Sequence, residues 1–463
     1  MRTAMTTPTQ YTGHLLGLPG PRPEDFIWAG GVEDTFVPQT RPGHRALDEY
    51  QLIGHYEHWR EDLALAKGLG LRALRWGVPW YRVEPERGKF DWRWIDEVLP
   101  YMVNELGITP IVDLMHYGCP FWLHREFDNP GYPAAVASYA AQFAQRYKGL
   151  VRWYTPLNEP LVNALMCGKR GLWPPYLRGD RGYLRVMVQL AKGIIATVRA
   201  LKEIDPASIM VHVDAAGIVR AERRDLERLA TEDQLRHFIC YDLITGRVDT
   251  EHALFPWLLR NGVSPDDLYA LAAGPIDLDV LGLNFYPQWS TKLMYINRQG
   301  KLAYRETERQ GLGFAEMIAT YQQRYHAPVI VTETSARGSD RLRADWLAAG
   351  LGAIKALRGQ GVPVLGYTWF PLFTMIDWSY RFARGPVEQY RLELGLYRLG
   401  RNGEPRWTAT PLVEQFRACM AEPEAAIGIL AAAPQVAPGP EYRYLYGGPG
   451  QKGEGDAQGE RSK

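Results

Sequence analysis

Cysteines and long apolar runs are both scarce in this sequence of 463 residues. The four cysteines form no Cys-x-x-Cys pair, so neither a zinc site nor a disulfide framework is indicated. No segment reaches the roughly 18 apolar residues of a membrane span, and residues 1–18 carry no apolar run of signal-peptide length. We therefore expect a cytoplasmic protein with no membrane partner. The cysteines, expected to be buried thiols, are Cys119, Cys167, Cys240 and Cys419.

A surplus of charge of either sign is also missing. Lys and Arg number 53 and Asp and Glu 52, which leaves a net charge of +1. Because nucleic acids are bound through basic patches, no nucleic-acid partner is expected. His55 and His58 have the spacing of a metal pair but no third ligand candidate nearby, so we interpret them as packing and capping residues and predict no metal site.

Short apolar segments alternate with amphipathic helical patterns eight times along the chain. Eight such pairs predict an α/β protein of the (β/α)8 TIM-barrel type, a single domain with elaborated βα loops. A doubly wound open sheet is the alternative, and it is disfavoured because no Gly-x-Gly-x-x-Gly turn follows an early strand. The predicted strands are 26–29, 71–76, 108–115, 151–157, 209–213, 280–284, 329–332 and 364–369.

Composition sets the expected domain bounds. The barrel is predicted over 26–430, after an N-terminal extension over 1–25. The segment 431–463 is rich in Pro, Gly and charge, so we expect a largely disordered tail.

Two of the predicted strands deliver a glutamate at their carboxyl ends. The fourth strand leads into Asn158-Glu159-Pro160, and the seventh ends at Thr332-Glu333. Chemistry in α/β barrels is placed at the carboxyl ends of strands. A pair of carboxylates there is the minimum equipment for glycoside hydrolysis, in which one is an acid/base and the other a nucleophile or base.

The chain resembles the family 1 glycoside hydrolases, the β-glucosidases and their relatives, over about 26–407. This resemblance implies that Glu159 is the acid/base and Glu333 the nucleophile of a mechanism that retains anomeric configuration. It also implies a carbohydrate substrate, a (β/α)8 barrel and no metal or organic cofactor. The matching segments, in order, are 26–28, 55–62, 75–80, 114–123, 154–160, 282–286, 331–333 and 366–378.

Further side chains are expected around the two glutamates. A nucleophile must stay ionised, and Arg75 and Tyr286, each at the end of a strand, are the expected neighbours of Glu333. Asn158 is expected to contact the sugar hydroxyl next to the anomeric carbon. The predicted contacts to other hydroxyls and to the apolar sugar face are His116, Trp122, Trp369 and Trp378, with Asp377 where the family has a hydroxyl-binding Glu.

Departures from the family pattern concern the sugar more than the chemistry. Glu33 and Asp34 stand where the family usually carries a Gln, and 370–378 replaces a more polar late loop. We predict an exo-acting enzyme whose pocket is closed by 168–181 and 289–312. Phe370, Phe373, Met375 and Ile376 are expected to form an apolar wall of this pocket, so an aryl β-fucoside is predicted to react at least as well as the β-glucoside.

Three alternatives stay open at the level of sequence. A transglycosylase would share the two glutamates, and a non-catalytic carbohydrate-binding barrel would share the fold. A lyase or aldolase would need a lysine at the end of a strand. The few lysines fall mostly in predicted helices or their connecting loops, among them Lys67, Lys89, Lys148, Lys169 and Lys192. The oligomeric state is not predicted.

Overall fold

A computed structural model of the chain describes residues 26–308, 310–401 and 403–421. Its centre is a closed barrel of eight parallel strands. The strands are β1 (Ile27–Gly31), β2 (Ala73–Gly77), β3 (Thr109–Asp113), β4 (Trp153–Thr155), β5 (Ile209–Ala215), β6 (Val280–Asn284), β7 (Val329–Thr334) and β8 (Val364–Trp369). Each strand pairs with the next in sequence, and β1 closes the barrel against β8, so the predicted topology is confirmed.

Apolar side chains from all eight strands fill the barrel interior. Because parallel strands are covered on both faces, their sequences are nearly continuous apolar runs. A second and larger core lies between the strands and the surrounding helices. The interior cluster consists of Ile27, Ala29, Ala73, Ile111, Trp153, Ile209, Val211, Val213, Val280, Ile330 and Leu365.

Helices alternate with the strands and cover the outside of the barrel. They are α1 (His55–Leu69), α2 (Arg93–Pro100), α3 (Tyr132–Arg146), α4 (Gly179–Ile204), α5 (Glu227–Ile244), α6 (Leu312–Tyr325), α7 (Asp340–Gly359) and α8 (Leu412–Ala421). Shorter helical segments are Glu49–Ile53, Trp80–Val83, Tyr101–Glu105, Glu126–Asp128, Pro160–Asn163, Ala164–Lys169, Arg224–Leu226, Phe255–Arg260, Pro265–Ala273, Trp378–Phe382 and Val387–Tyr390.

Small sheets elaborate the loops. One has three strands, Ile218–Ala221, Thr291–Ile296 and Leu302–Glu306, and it gives structure to much of the long segment after β6. Three two-stranded sheets pair Phe36–Val37 with Leu47–Asp48, Met375–Ile376 with Arg391–Leu392, and Tyr397–Leu399 with Trp407–Ala409. No helix in the described ranges is long and apolar enough to cross a membrane.

Two details of the barrel differ from the sequence prediction. The fourth strand is only Trp153–Thr155, because Pro156 lacks the N–H that would continue the ladder. Strand β8 carries one extra residue near Leu365, where its pairing with β7 shifts register. The predicted extension over 1–25, the tail over 431–463 and the last residues of the predicted barrel, 422–430, lie outside the described residues.

Candidate active site

Glu333 ends β7 at a break in the strand register. The pairing of β7 with both neighbouring strands shifts after Val331, and bulges of this kind re-aim side chains beside active sites. The buried carboxyl accepts one hydrogen bond from the Arg75 guanidinium at Oε1 and one from the Tyr286 hydroxyl at Oε2, the latter at 2.7 Å. Both donors complement an anionic carboxylate, the form that a nucleophile requires.

Glu159 lies past the end of β4 in a strained backbone conformation. Its φ is +42°, in the left-handed region that costs a non-glycine residue about 1–3 kcal/mol. The N–H of Glu159 donates to the carbonyl of Val213 on β5 at 3.2 Å, and Pro160 begins a short helix immediately afterwards. The chain is thus fixed on both sides of the strained residue.

Burial, followed by the negative charge of Glu333, raises the pKa of Glu159 to about 7. Two hydrogen bonds oppose this rise, one from the Tyr117 hydroxyl to Oε2 and one from the Asn284 amide to Oε1 at 2.9 Å. A carboxyl with this pKa still holds its proton close to neutral pH, as a general acid must.

Asn158 connects the two carboxyls. Its Oδ1 accepts one hydrogen bond from Arg75, which also donates to Glu333. It accepts a second, of 3.3 Å, from the amide of Asn284, which also donates to Glu159. Its amide nitrogen lies 2.8 Å from Nε2 of His116. The two carboxyls therefore belong to one hydrogen-bonded network, and His116 extends this network away from them.

Four carboxyls lie around His116, and we call this group the acidic edge: the buried Glu33, Glu49 and Asp113 and the half-buried Asp34. Nδ1 of His116 lies 2.8 Å from Asp34 Oδ1 and 3.3 Å from Asp113 Oδ2, and Nε2 lies 3.7 Å from Glu33 Oε1. Burial lowers the pKa of His116, but these carboxylates outweigh burial and leave it well above its usual value.

Arg75 bridges the nucleophile candidate and the acidic edge, since its second terminal nitrogen donates to Asp113. Burial lowers the pKa of Arg75, but the negative charges of Asp113 and Glu333 outweigh burial and leave that pKa above its usual value. Asp34, Asp113 and His116 have ligand atoms within 4.8 Å of one another, the spacing of a metal set. Asp34 already contacts His116 and Asp113 holds Arg75, so we interpret this trio as an ion-pair cluster and derive no step through a metal.

Three residues predicted to contact the sugar, two aromatic and one acidic, form hydrogen bonds with other parts of the protein. Trp369 points out of the barrel, where its indole N–H donates to the Leu394 carbonyl at 3.1 Å and its ring contacts Phe416 of α8. Trp122 donates to the backbone of Glu84 at 2.8 Å. Asp377 caps a short helix through the N–H of Ser379 at 2.9 Å.

Trp378 lies nearer the carboxyl pair, one ring away from Glu159. Its ring centroid is 5.6 Å from that of Tyr117, whose hydroxyl binds Glu159, and 5.1 Å from that of Trp173. The predicted contacts brought together by the structure are thus Arg75, His116, Asn158 and Tyr286, with Trp378 behind Tyr117.

Phe370, predicted as part of the apolar wall, follows β8 with its ring centroid 6.5 Å from that of His116 and 5.3 Å from the Arg75 guanidinium carbon. Other residues of the site were not predicted as contacts. Asp113 and Asn284 end β3 and β6, so the rule that found the two glutamates would have found them too. Tyr117 and Glu49 follow no such rule, because Tyr117 lies in a loop and Glu49 begins a short helix between β1 and β2.

Comparisons with known proteins agree with this geometry. The model of the family described as glycosyl hydrolase family 1 matches residues 31–243. Beta-glucosidase A of Thermotoga maritima is 23% identical over 368 residues, which cover 71% of this chain and 80% of the relative. A bifunctional beta-D-glucosidase/beta-D-fucosidase of Bifidobacterium breve is 24% identical over 406 residues, which cover 71% of this chain and 81% of the relative.

The fold is similar to solved structures of the same kind. A family 1 b-glucosidase from Thermotoga maritima superposes with a TM-score of 0.73 at 19% sequence identity, covering 86% of this chain and 98% of that one. A beta-glucosidase from the same organism in complex with deoxynojirimycin gives a TM-score of 0.73 at 18% identity with the same coverage. The family model, the curated relatives and the closed eight-stranded barrel therefore agree that this chain is similar to the enzymes of glycosyl hydrolase family 1.

Proposed function

We propose that this protein is a retaining β-glycosidase that removes terminal β-linked sugars from short glycosides. The observation that carries the proposal is the contrast between two carboxyls of one network. Glu333 accepts from a guanidinium and a hydroxyl, whereas Glu159 is buried with a pKa of about 7. Two carboxyl groups with separated properties are what double displacement requires.

In the first step a Glu333 oxygen attacks the anomeric carbon, and the bond from that carbon to the leaving oxygen breaks. Glu159 transfers its proton to the leaving oxygen as the bond breaks, so the aglycone departs as a neutral alcohol. The product of this step is a glycosyl ester of Glu333. Asn158, beside Glu159, is placed to bind the neighbouring sugar hydroxyl.

In the second step a water molecule takes the place of the aglycone. Glu159, now ionised, removes a proton from this water as its oxygen attacks the anomeric carbon. The ester bond to Glu333 breaks, and its carboxylate returns to Arg75 and Tyr286. Two inversions at one carbon give net retention, for which the two carboxyls are expected about 5 to 5.5 Å apart.

The loops around the site favour an exo-acting enzyme. Trp173, in the segment 168–181, is buried and packs against Tyr117, whose ring centroid is 5.1 Å away. The segment 289–312 contains a β-hairpin, and Trp289 at its start lies 5.3 Å from the ring of Tyr286. Structured loops beside both carboxyls are expected to enclose one terminal sugar.

The predicted preference for β-fucosides stays a prediction, but part of its basis was wrong. Phe373 packs outside the pocket, with its ring 4.5 Å from that of Trp407. Phe370 does lie beside His116, as the apolar wall required. Glu49 accepts a hydrogen bond from the N–H of Ile376 at 2.9 Å, so a buried carboxyl is part of this region of the wall.

Hydrolysis of aryl β-glycosides by wild type, Glu333→Ala and Glu159→Ala tests the proposal. Glu333→Ala is expected to lose turnover of every substrate. Glu159→Ala is expected to lose roughly 10²- to 10⁴-fold in kcat/KM when the leaving group needs a proton, and far less with dinitrophenolate. NMR of the first product should show the β-anomer.

Each alternative gives a different result in the same assays. An α-anomer as the first product would contradict retention, and equal losses with good and poor leaving groups would remove Glu159 from the acid role. A transglycosylase would give the same variant pattern but form glycosides when an acceptor alcohol is added. If glycosides bind but none is turned over, the result would favour the alternative of a non-catalytic carbohydrate-binding barrel.

A further inference from the structure

The acidic edge lies on the side of the network away from the reacting carbon. Asn158 is next to Glu159 in sequence and bonded to Arg75, and His116 lies 2.8 Å beyond the Asn158 amide. Glu33 is farther still, 3.7 Å from Nε2 of His116. A sugar ring with its anomeric carbon between Glu159 and Glu333 therefore extends its remote edge towards Glu33.

Negative charge at the acidic edge exceeds the positive charge that the chain supplies there. Over the described ranges, the cations paired with its four carboxyls are His116 and Arg75, and Arg75 also serves Glu333. Burying carboxylates without matching cations costs several kcal/mol for each group. The protein alone therefore leaves this region short of positive charge.

Glu49 gives a second and independent indication of a missing partner. Its side chain is completely buried, and only one oxygen is used, by the N–H of Ile376. The other oxygen, Oε1, has no hydrogen-bond partner in the part of the chain that the structure describes, and the same is true of Asp113 Oδ1. Buried carboxylate oxygens are nearly always hydrogen-bonded, so these two are open acceptors.

The pKa values of Glu33 and Glu49 also indicate that the acidic edge lacks a cation. Burial, opposed by the positive charge of His116 and reinforced by the negative charge of Glu333, raises the pKa of Glu33 to about 7. Burial and the charge of Glu33 raise the pKa of Glu49 well above its usual value. Both carboxyls thus take up protons in the free protein, and a bound cation could replace those protons.

We propose that the sugar accepted by this site carries an ammonium group on the edge remote from the anomeric carbon, where Glu33 and Glu49 receive its hydrogen bonds. This inference rests on the proposed glycosidase function and names its substrate class, a β-glycoside of a 3-, 4- or 6-amino sugar. Phe370 lies beside His116 and under the Arg75 guanidinium, so its ring borders the same region. An amine at the 2-position would instead meet Asn158.

Aryl β-glycosides that differ only in one group test the proposal. The 3-amino, 4-amino and 6-amino deoxyglucosides are compared with the glucoside, the fucoside and the 2-amino deoxyglucoside. At least one of the first three is expected to have a kcat/KM roughly tenfold to hundredfold above that of the glucoside, because its hydrogen bonds to carboxylates are charge-assisted. Equal or faster turnover of glucoside or fucoside would overturn the proposal.

Substitutions in the acidic edge test whether its carboxyls cause the preference for the amino sugar. Glu33→Gln and Glu49→Gln keep the shape of the side chains, and each is expected to reduce the preference for the amino sugar at least fivefold, or about 1 kcal/mol. Glu97→Gln, which alters an exposed carboxyl of α2, should leave the preference unchanged. If the preference persists in both edge variants, the ammonium does not bind there and the proposal is wrong.

Binding measurements keep this inference separate from the proposed function. If no glycoside is hydrolysed, the function proposal fails, and calorimetry with the free 3-, 4- and 6-amino sugars then decides the inference. Tighter binding of an amino sugar than of glucose, lost in Glu49→Gln, would still support the acidic edge as an ammonium site. Equal binding of glucose and all three amino sugars would overturn it.

Discussion

Glu159 and Glu333 have the same side chain, and their neighbours give them different properties. Tyr117 and Asn284 bind the first, whereas a guanidinium and a hydroxyl bind the second. The identity and spacing of these neighbours decide which carboxyl keeps its proton near neutral pH. The pH dependence of activity is therefore a property of single hydrogen bonds in the site.

The Tyr117→Phe variant removes the hydrogen bond from the Tyr117 hydroxyl to Glu159 and tests its effect on the pH dependence of activity. In the proposed mechanism the acid step needs protonated Glu159, so wild-type kcat/KM is expected to fall as pH rises through about 7. The Tyr117 hydroxyl stabilises the ionised form and lowers the pKa of Glu159. Its removal should raise that pKa and move the alkaline limb of the profile to higher pH. A limb that stays in place or moves to lower pH would contradict the assigned role.

Tyr139→Phe is the matched control. Tyr139 is equally buried, but its hydroxyl donates to the backbone carbonyl of Val78 at 3.4 Å and not to Glu159 or Glu333. Both variants lose one buried hydroxyl, and only Tyr117→Phe is expected to shift the pH profile.

At the scale of single residues, the sequence located the carboxyls better than their surroundings. Glu159, Glu333, Arg75, Asn158 and Tyr286 lie within or just after the carboxyl-terminal part of a strand, where a residue's direction is set by the barrel itself. Tyr117 has a φ of +82° in an irregular loop, and no periodicity predicts such a conformation.

Secondary-structure elements fix the remaining geometry, and small irregularities in them have large effects. Trp369 was predicted to contact sugar from its place at the end of β8. The extra residue near Leu365 reverses which side chains point inward, so Thr368 faces the barrel interior and Trp369 faces α8. A period of two residues makes this kind of error unavoidable when a bulge is not foreseen.

Strand β7 also carries a threonine that contacts the site through Asn284. The hydroxyl of Thr332 donates to Asn284 Oδ1 at 2.7 Å, which turns the Asn284 amide nitrogen towards Glu159. Thr332→Val is expected to lower kcat about tenfold with little change in KM, because the sugar contacts remain. Steady-state kinetics on one aryl glycoside measures the split.

A second strand threonine provides the comparison for Thr332. Thr155 on β4 is fully buried, and its hydroxyl has no partner among the residues that the structure describes. Thr155→Val should leave kcat unchanged and the melting temperature equal or higher. A loss of activity as large as that of Thr332→Val would show that volume, and not the bond to Asn284, is what matters.

At the scale of the whole molecule, a polar cluster joins α1 to the end of the described chain. Asp62 accepts hydrogen bonds from the indole N–H of Trp407 at 2.6 Å and from Arg406, and it lies 2.6 Å from Nδ1 of His55. His55 Nε2 in turn accepts from Trp76 at 3.1 Å. This agrees with the prediction that His55 has a packing role.

Asp62→Asn is expected to destabilise the fold by about 2 to 3 kcal/mol at neutral pH, since buried donors lose a charged acceptor. Burial raises the pKa of Asp62, but His55 and Arg406 outweigh it and lower the pKa overall. Its contribution is therefore present above pH of about 4 and is lost as pH falls through the folded-state pKa. Thermal melts from pH 3 to 8 should show the variant and wild type converging at low pH.

Glu61→Gln separates this effect from general loss of charge. Glu61 is next in sequence and 3.6 Å from Arg406, but its side chain is half-exposed. Its melting curve should match wild type, because exposed ion pairs add little stability. Parallel losses in both variants at every pH would contradict the role given to Asp62.

The left-handed backbone of Glu159 reverses a familiar ranking of substitutions. Alanine normally stabilises a folded chain relative to glycine, because glycine loses more backbone freedom on folding. At a φ of +42° only glycine escapes the clash of Cβ with the backbone, so Glu159→Gly should melt at a higher temperature than Glu159→Ala. The glycine variant is then the better form in which to capture an intact glycoside for crystallography.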